Sequence, residues 1–252
     1  MNIAENRWIA RPRRSAAAKL RLFCFPHVGA GAAAFNSWLD HLPADVELCA
    51  VRPPGRENRL REPLVEDGRE LLERLEPVVA PLLDVPFVVV GHCSGSVLAY
   101  EFARRLRDAG AAVPELVVLS STEGPAVRRI DDPLHLLPRV ELLRRVVKYG
   151  GMAEEVLADP ELMDMFERIL RADYRVVERL EYSPGPPLDV PITVIGGRRD
   201  EFVGPQAMAA WHTETTREFS LRLLDAGHYV LSEAGALVGD LMRQLAAGGE
   251  RP

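Results

Sequence analysis

The strongest constraint on this 252-residue chain is the pentapeptide Gly91-His92-Cys93-Ser94-Gly95, set between an apolar run at Pro86 to Val90 and a second beginning at Val97. It fits the pattern G-x-nucleophile-x-G, with cysteine at the centre. Such a segment requires a strand (Phe87, Val88, Val89, Val90) to turn sharply into a helix (Val97 to Leu106), which forces the central residue into strained backbone geometry. Glycines on both sides relieve the crowding. The turn lifts the cysteine above the sheet and aims it at the helix N-terminus, where N–H groups stabilise a thiolate or an oxyanion. The pattern points to acyl-transfer chemistry. Taken alone it has a second reading, because Gly-rich strand-to-helix turns are common in α/β proteins, so the rest of the chain decides.

Around that turn, short runs rich in β-branched and aromatic residues alternate with helical patterns. Leu20 to Phe25, Val46 to Val51, Phe87 to Val90, Leu116 to Ser120, Ile192 to Gly196 and Leu221 to Leu224 read as strands. Asp67 to Leu83, Val97 to Ala109 and Glu233 to Leu245 read as helices. This order predicts an α/β fold with a mostly parallel sheet and right-handed crossovers. No internal repeat or linker divides the chain, so residues 1–252 are expected to form one domain. The alternation breaks at Asp131 to Tyr182, where three helical patterns (Glu141 to Tyr149, Pro160 to Leu170, Ala172 to Leu180) follow one another without a strand. Residues 131–182 read as an inserted helical lid over the C-terminal edge of the sheet, or equally as ordinary covering helices.

The composition, 47% hydrophobic and 27% charged, is that of a soluble globular protein. No apolar stretch approaches the roughly 20 residues needed to span a bilayer. Met1 to Arg14 has no apolar signal core, so a cytoplasmic location without membrane association is expected. A net charge of −6 argues against a general nucleic-acid binder. Arg104, Arg105 and Arg107, then Arg128 and Arg129, then Arg144, Arg145 and Lys148 read either as a docking face for an acidic partner or as solvated helix faces. Cys24, Cys49 and Cys93 lack any C-x-x-C spacing and form no closed disulfide set, and Cys24 and Cys49 fall in strand-like runs that suit core packing. No histidine or acidic cluster has ligand spacing, so neither metal nor cofactor is implied.

Downstream of Cys93 the chain supplies an acid and a base in the order found in hydrolase sheets. Asp200 ends Ile195-Gly196-Gly197-Arg198-Arg199-Asp200, and His228 lies in Asp225-Ala226-Gly227-His228-Tyr229, both just beyond strand-like runs. The imidazole would take the thiol proton or hold a thiolate as an ion pair, and the carboxylate would fix its tautomer. Among the other histidines, His92 should point away from the nucleophile, His27 sits in a Gly-rich loop, and His41, His135 and His212 fall in helical or connecting segments. Glu123, after the strand Leu116 to Ser120, is the rival acid; Asp200 is preferred. An oxyanion hole needs the N–H of the residue after the nucleophile, Ser94, and one from the loop after an early strand. Phe25-Pro26-His27-Val28-Gly29-Ala30-Gly31-Ala32 offers that loop, with Val28 the donor by position. The loop lacks both the G-K-[ST] ending of a P-loop and the G-x-G-x-x-G of a dinucleotide site.

Together these residues resemble the type II thioesterases, α/β-hydrolase enzymes that accompany polyketide synthases and nonribosomal peptide synthetases. The resemblance also rests on Leu22-Phe23-Cys24-Phe25-Pro26-His27-Val28-Gly29, Pro54-Gly55-Arg56-Glu57-Asn58-Arg59, Leu170-Arg171-Ala172-Asp173-Tyr174, Pro191-Ile192-Thr193-Val194-Ile195-Gly196-Gly197 and Gly227-His228-Tyr229. It implies hydrolysis of acyl chains from the phosphopantetheine arm of carrier proteins, with Cys93, Asp200 and His228 as triad and Val28 and Ser94 as oxyanion donors. A monomer without cofactor is expected. The departure is Cys93 where that family usually has serine. Attack of a cysteine on a thioester gives another thioester, still reactive toward thiols and amines. A cysteine acyltransferase therefore stands beside hydrolysis, and a non-catalytic carrier-binding module is the third reading, against which a complete triad counts.

Overall fold

A computed structural model describes residues 7–148 and 159–246. Seven strands form one sheet: β1 (Ile9–Ala10), β2 (Leu20–Phe25), β3 (Val46–Val51), β4 (Phe87–His92), β5 (Leu116–Ser120), β6 (Ile192–Gly197) and β7 (Phe219–Leu224). Their order is β1-β3-β2-β4-β5-β6-β7; β1 runs antiparallel to β3 and every other pair is parallel. Strands β2 to β6 are buried along their whole length, which explains why they read as continuous apolar runs rather than as alternation. The period of two still sorts the side chains. Phe23, Phe25, Val89, Val117 and Leu119 face one core, while Leu22, Cys24, Val88, Val90 and Val118 face the other.

The first core is covered by α1 (Gly68–Val79) and α2 (Ser94–Asp108). Asp67 caps α1, its side chain accepting the Glu70 N–H at 2.9 Å. Between β5 and β6 lie α3 (Arg139–Lys148) and α4 (Pro160–Glu178), and α5 (Pro205–Ala209) follows β6. The second core is closed by the 3₁₀ segment Ala32–Asp40 and by α6 (Leu231–Ala246). Cys24 and Cys49 are both buried, on opposite faces.

Several boundaries differ from the sequence reading. Helix α2 begins at Ser94, three residues before the apolar run at Val97, because Cys93 occupies its N-cap position. Pro160 to Leu170 and Ala172 to Leu180 are one continuous helix, α4, through Arg171; neither glycine nor proline interrupts it, and Asp159 with Pro160 supplies its start. Tyr149, the end of the expected helix Glu141 to Tyr149, falls outside the described residues. The short β1 is too brief to leave a periodic signal. Leu137, Leu142, Val146 and Leu170 form a small third core, against which Val28 and Phe166 pack, so α3 and α4 rest on the loop after β2.

Candidate active site

The loops following β2, β4, β5, β6 and β7 leave the sheet at its carboxyl edge, which is where open parallel sheets bind ligands. At the centre is Cys93, with φ 51° and ψ −119°, in the positive-φ region disfavoured for a side chain. Its N–H donates to Ser120 O at 2.8 Å, and its carbonyl accepts from Ser96 N at 3.0 Å. The two glycines of the elbow are demanded by packing. A Cβ on Gly91 would run into the backbone of Gly95 and Ser96, and one on Gly95 into the carbonyls of Phe25 and Pro26. The strand-to-helix turn thus holds Cys93 at the N-terminus of α2, half-buried and facing a cavity.

His228 lies against Cys93, and Asp200 lies behind His228. Asp200 Oδ2 lies 2.9 Å from His228 Nδ1, and its Oδ1 accepts the Phe202 and Val203 N–H groups at 2.9 and 3.0 Å. The imidazole is also hydrogen-bonded to the Cys93 sulfur. Burial disfavours the charged imidazole, but the bonds to Asp200 and Cys93 and their negative charges outweigh it and raise the His228 pKa to about 10. Burial likewise opposes ionisation of Asp200, yet the His228 contact and the two backbone amides hold its carboxyl below the ordinary range. Glu123 lies in the cavity wall. Ser121 fixes the histidine loop by donating its hydroxyl to His228 O at 2.6 Å, a role with no signal in the sequence.

Val28 and Ser94 sit together beside Cys93, but their contact is not one the sequence suggests. Val28 N–H donates to Ser94 Oγ at 2.8 Å. The next residues of that loop are tied to two motifs from elsewhere in the chain. Gly29 N–H donates to Asp173 Oδ2 at 2.8 Å; Arg56 binds both oxygens of Asp173, at 2.6 and 2.7 Å, and donates to Ala30 O at 2.8 Å.

The other imidazoles fall in different places. His92 is fully buried, bonded through Nδ1 to Ser120 Oγ at 2.7 Å, and does not line the cavity, although its ring is 5.9 Å from that of His228. His27 does line it, and burial lowers its pKa to about 4, which keeps it neutral. The arginines grouped in the sequence do not form one face. Arg104 is buried against Tyr100 and Tyr182, Arg105 pairs with Glu76, Arg145 with Asp132, and Arg128 lines the cavity beside Cys93. Among the described residues, no helix is long and apolar enough to cross a membrane.

Comparison with known proteins agrees with this geometry. The profile of the family described as "Thioesterase domain" matches residues 20–245. The chain is 34% identical to the gramicidin S biosynthesis protein GrsT of Aneurinibacillus migulanus over 229 residues, covering 91% of this chain and 90% of that protein. Among solved structures, BorB, a type II thioesterase from the borrelidin biosynthetic cluster, superposes with a TM-score of 0.84 at 34% identity, over 94% of this chain and 97% of that one. RedJ, a thioesterase of the prodiginine pathway in Streptomyces coelicolor, gives 0.83 at 32% identity, over 94% and 95%. The chain therefore belongs to the thioesterase domain family, and its relatives in the α/β-hydrolase fold are type II thioesterases of nonribosomal peptide and polyketide biosynthesis.

Proposed function

We propose that this thioesterase hydrolyses acyl groups from the phosphopantetheine arms of carrier proteins through an acyl-Cys93 intermediate. The observation that carries the reading is the continuous chain Cys93 sulfur, His228, Asp200 at the mouth of a cavity. His228, its pKa raised to about 10, takes the Cys93 thiol proton and holds it as an imidazolium beside the thiolate so formed. The thiolate attacks the thioester carbonyl, and the oxyanion is met by the N–H groups of Ser94 and Val28. Collapse expels the phosphopantetheine thiolate, which takes the proton from His228. The neutral imidazole then removes a proton from water, hydroxide adds to the acyl-Cys93 carbonyl, and collapse returns carboxylic acid and Cys93 thiolate with His228 protonated again. Asp200 keeps Nδ1 protonated throughout, so Nε2 is the nitrogen that exchanges the proton.

Within the expected lid, residues 131–182, the helices α3 and α4 cover this site, Leu142, Leu170 and Phe166 belonging to the small core against which Val28 packs. The partners are acyl or peptidyl carrier proteins, and the enzyme works as a monomer without a cofactor. The deciding experiment is intact-protein mass spectrometry with an acylated carrier protein, following acyl-Cys93 over time. Transient acylation followed by free acid in water supports hydrolysis. An adduct that persists in water and discharges only onto an added amine or second carrier thiol would instead make the protein an acyltransferase.

A further inference from the structure

The cavity at Cys93, about 350 Å³, adjoins a second one of about 520 Å³. Val97, Glu123, Arg128, Arg129, Ile130, Asp131 and Glu178 line both, so they stand at the passage between the two. An acyl chain that outgrows the first space has this second one to run into.

The polar groups around this passage are mostly engaged. Ser121 donates to His228 O, and Arg145 pairs with Asp132. The hydroxyls of Tyr100 and Tyr182, which line the second cavity, both go to Glu214. Glu178 accepts from Leu134 N–H at 2.8 Å and from His135. Arg129 is exposed and donates to the carbonyls of Ala126 and Arg128. Arg128 is half-buried. Of the five N–H bonds a guanidinium carries, one is engaged, to Val177 O at 3.1 Å, and among the described residues it forms no salt bridge. Burial weakens its charged form, partly offset by the nearby charges of Glu123, Cys93 and Glu178. A half-buried guanidinium whose open donors face a cavity is placed to donate to an acceptor held there.

We propose that Arg128 is the recognition group of an acyl subsite that takes chains bearing a neutral oxygen acceptor, a ketone, hydroxyl or amide carbonyl, near the thioester. The class is neutral rather than carboxylate because Glu123, Glu178 and Asp131 already outnumber the cations Arg128 and Arg129 at the passage, and a further negative charge in the same space would be repelled. Oxygenated polyketide chains and peptidyl chains share this chemistry; saturated acyl groups lack it. The subsite rests on the thioesterase reading for its substrate class.

The test uses pantetheine analogues in which an amide replaces the thioester, carrying butyryl, 3-oxobutyryl or malonyl groups, with calorimetric titration of the full chain. An ionic hydrogen bond is worth on the order of tenfold or more in affinity. The 3-oxobutyryl analogue is expected to bind about tenfold tighter than the butyryl one. Arg128→Met should erase that ratio, and Arg128→Lys, which keeps the charge, should keep part of it. Equal affinities in the unaltered protein, a preference that survives Arg128→Met, or tightest binding of the malonyl analogue would each overturn the subsite. Amide binding requires no turnover, so failure to hydrolyse the matching thioesters with the preference intact would reject the hydrolase reading and leave the subsite standing.

Discussion

The Asp173 carboxylate on α4 accepts the backbone N–H of Gly29 at 2.8 Å, so that helix holds the loop after β2, the loop proposed to supply an oxyanion donor. The same carboxylate is bound at both oxygens by Arg56, whose side chain is 7% exposed. Two motifs distant in the chain, Pro54 to Arg59 and Leu170 to Tyr174, thus converge on one turn.

Asp173→Ala is expected to lower kcat by about ten- to a hundredfold with a smaller change in KM, because a misplaced loop donor is felt in the transition state more than in substrate binding. Arg56 would be left buried without its counter-charge, at a cost on the order of 3 kcal/mol in stability. Steady-state kinetics and thermal melts on the same variant separate the two effects. A variant that loses stability alone, with kcat per folded molecule unchanged, would remove the loop-positioning role.

Stability should depend on pH through His228. Its folded-state pKa is raised to about 10 from an ordinary 6.5, so the stabilisation it contributes is fully present below about pH 6.5 and disappears as pH rises toward 10. Asp200 is shifted the other way, and its contribution is present above the ordinary carboxylate range and lost only as acid protonates it. Melting temperatures of the protein and of His228→Gln should therefore differ most at pH 6 and converge by pH 10. A gap that stays constant across this window would show that His228 is not held protonated.

Much of this site was legible in the sequence because it depends on local order. The glycines of the elbow are required by contacts within a few residues or with one neighbouring strand, and Asp200 and His228 follow strands whose apolar runs are unmistakable. What was not legible depends on side-chain direction or on distant pairing. Arg128 reads as one charge in a basic cluster until the fold turns it into the cavity. Nothing in Ser94 announces that its hydroxyl reaches the Val28 amide, since that contact spans 66 positions. The division of α4 at Arg171 failed because periodicity locates an apolar face better than it locates an end.

The sheet carries a second ionic cluster, at its opposite edge. Glu47 is fully buried near the start of β3 and accepts from Arg11 at 2.9 and 2.8 Å and from Arg21 at 2.9 Å. Glu47→Gln keeps the shape and removes the charge from between two arginines, and should destabilise the fold by roughly 3 kcal/mol. That corresponds to a drop in melting temperature on the order of 10 °C for a chain of this size. Activity per folded molecule should hold, since the catalytic loops leave the other edge. Denaturant titration and active-site labelling of the folded fraction check both halves.

The last prediction concerns the Ser94 hydroxyl, which occupies the Val28 N–H at 2.8 Å where a substrate oxyanion would need it. For the Val28 amide to stabilise the tetrahedral intermediate, that hydrogen bond must be broken and replaced, and a typical one contributes about 1 kcal/mol net. Ser94→Ala removes the competing acceptor and leaves the Ser94 backbone N–H, the other donor, in place at the start of α2. The acylation rate should therefore rise, by about fivefold on that energy, measured as the single-turnover burst of acyl-Cys93. The hydroxyl could act in the opposite sense by donating its own proton to the oxyanion while still accepting from Val28, and then the rate would fall. A fall with unchanged substrate affinity would make Ser94 a third donor, whereas the expected rise makes it a plug that the substrate displaces.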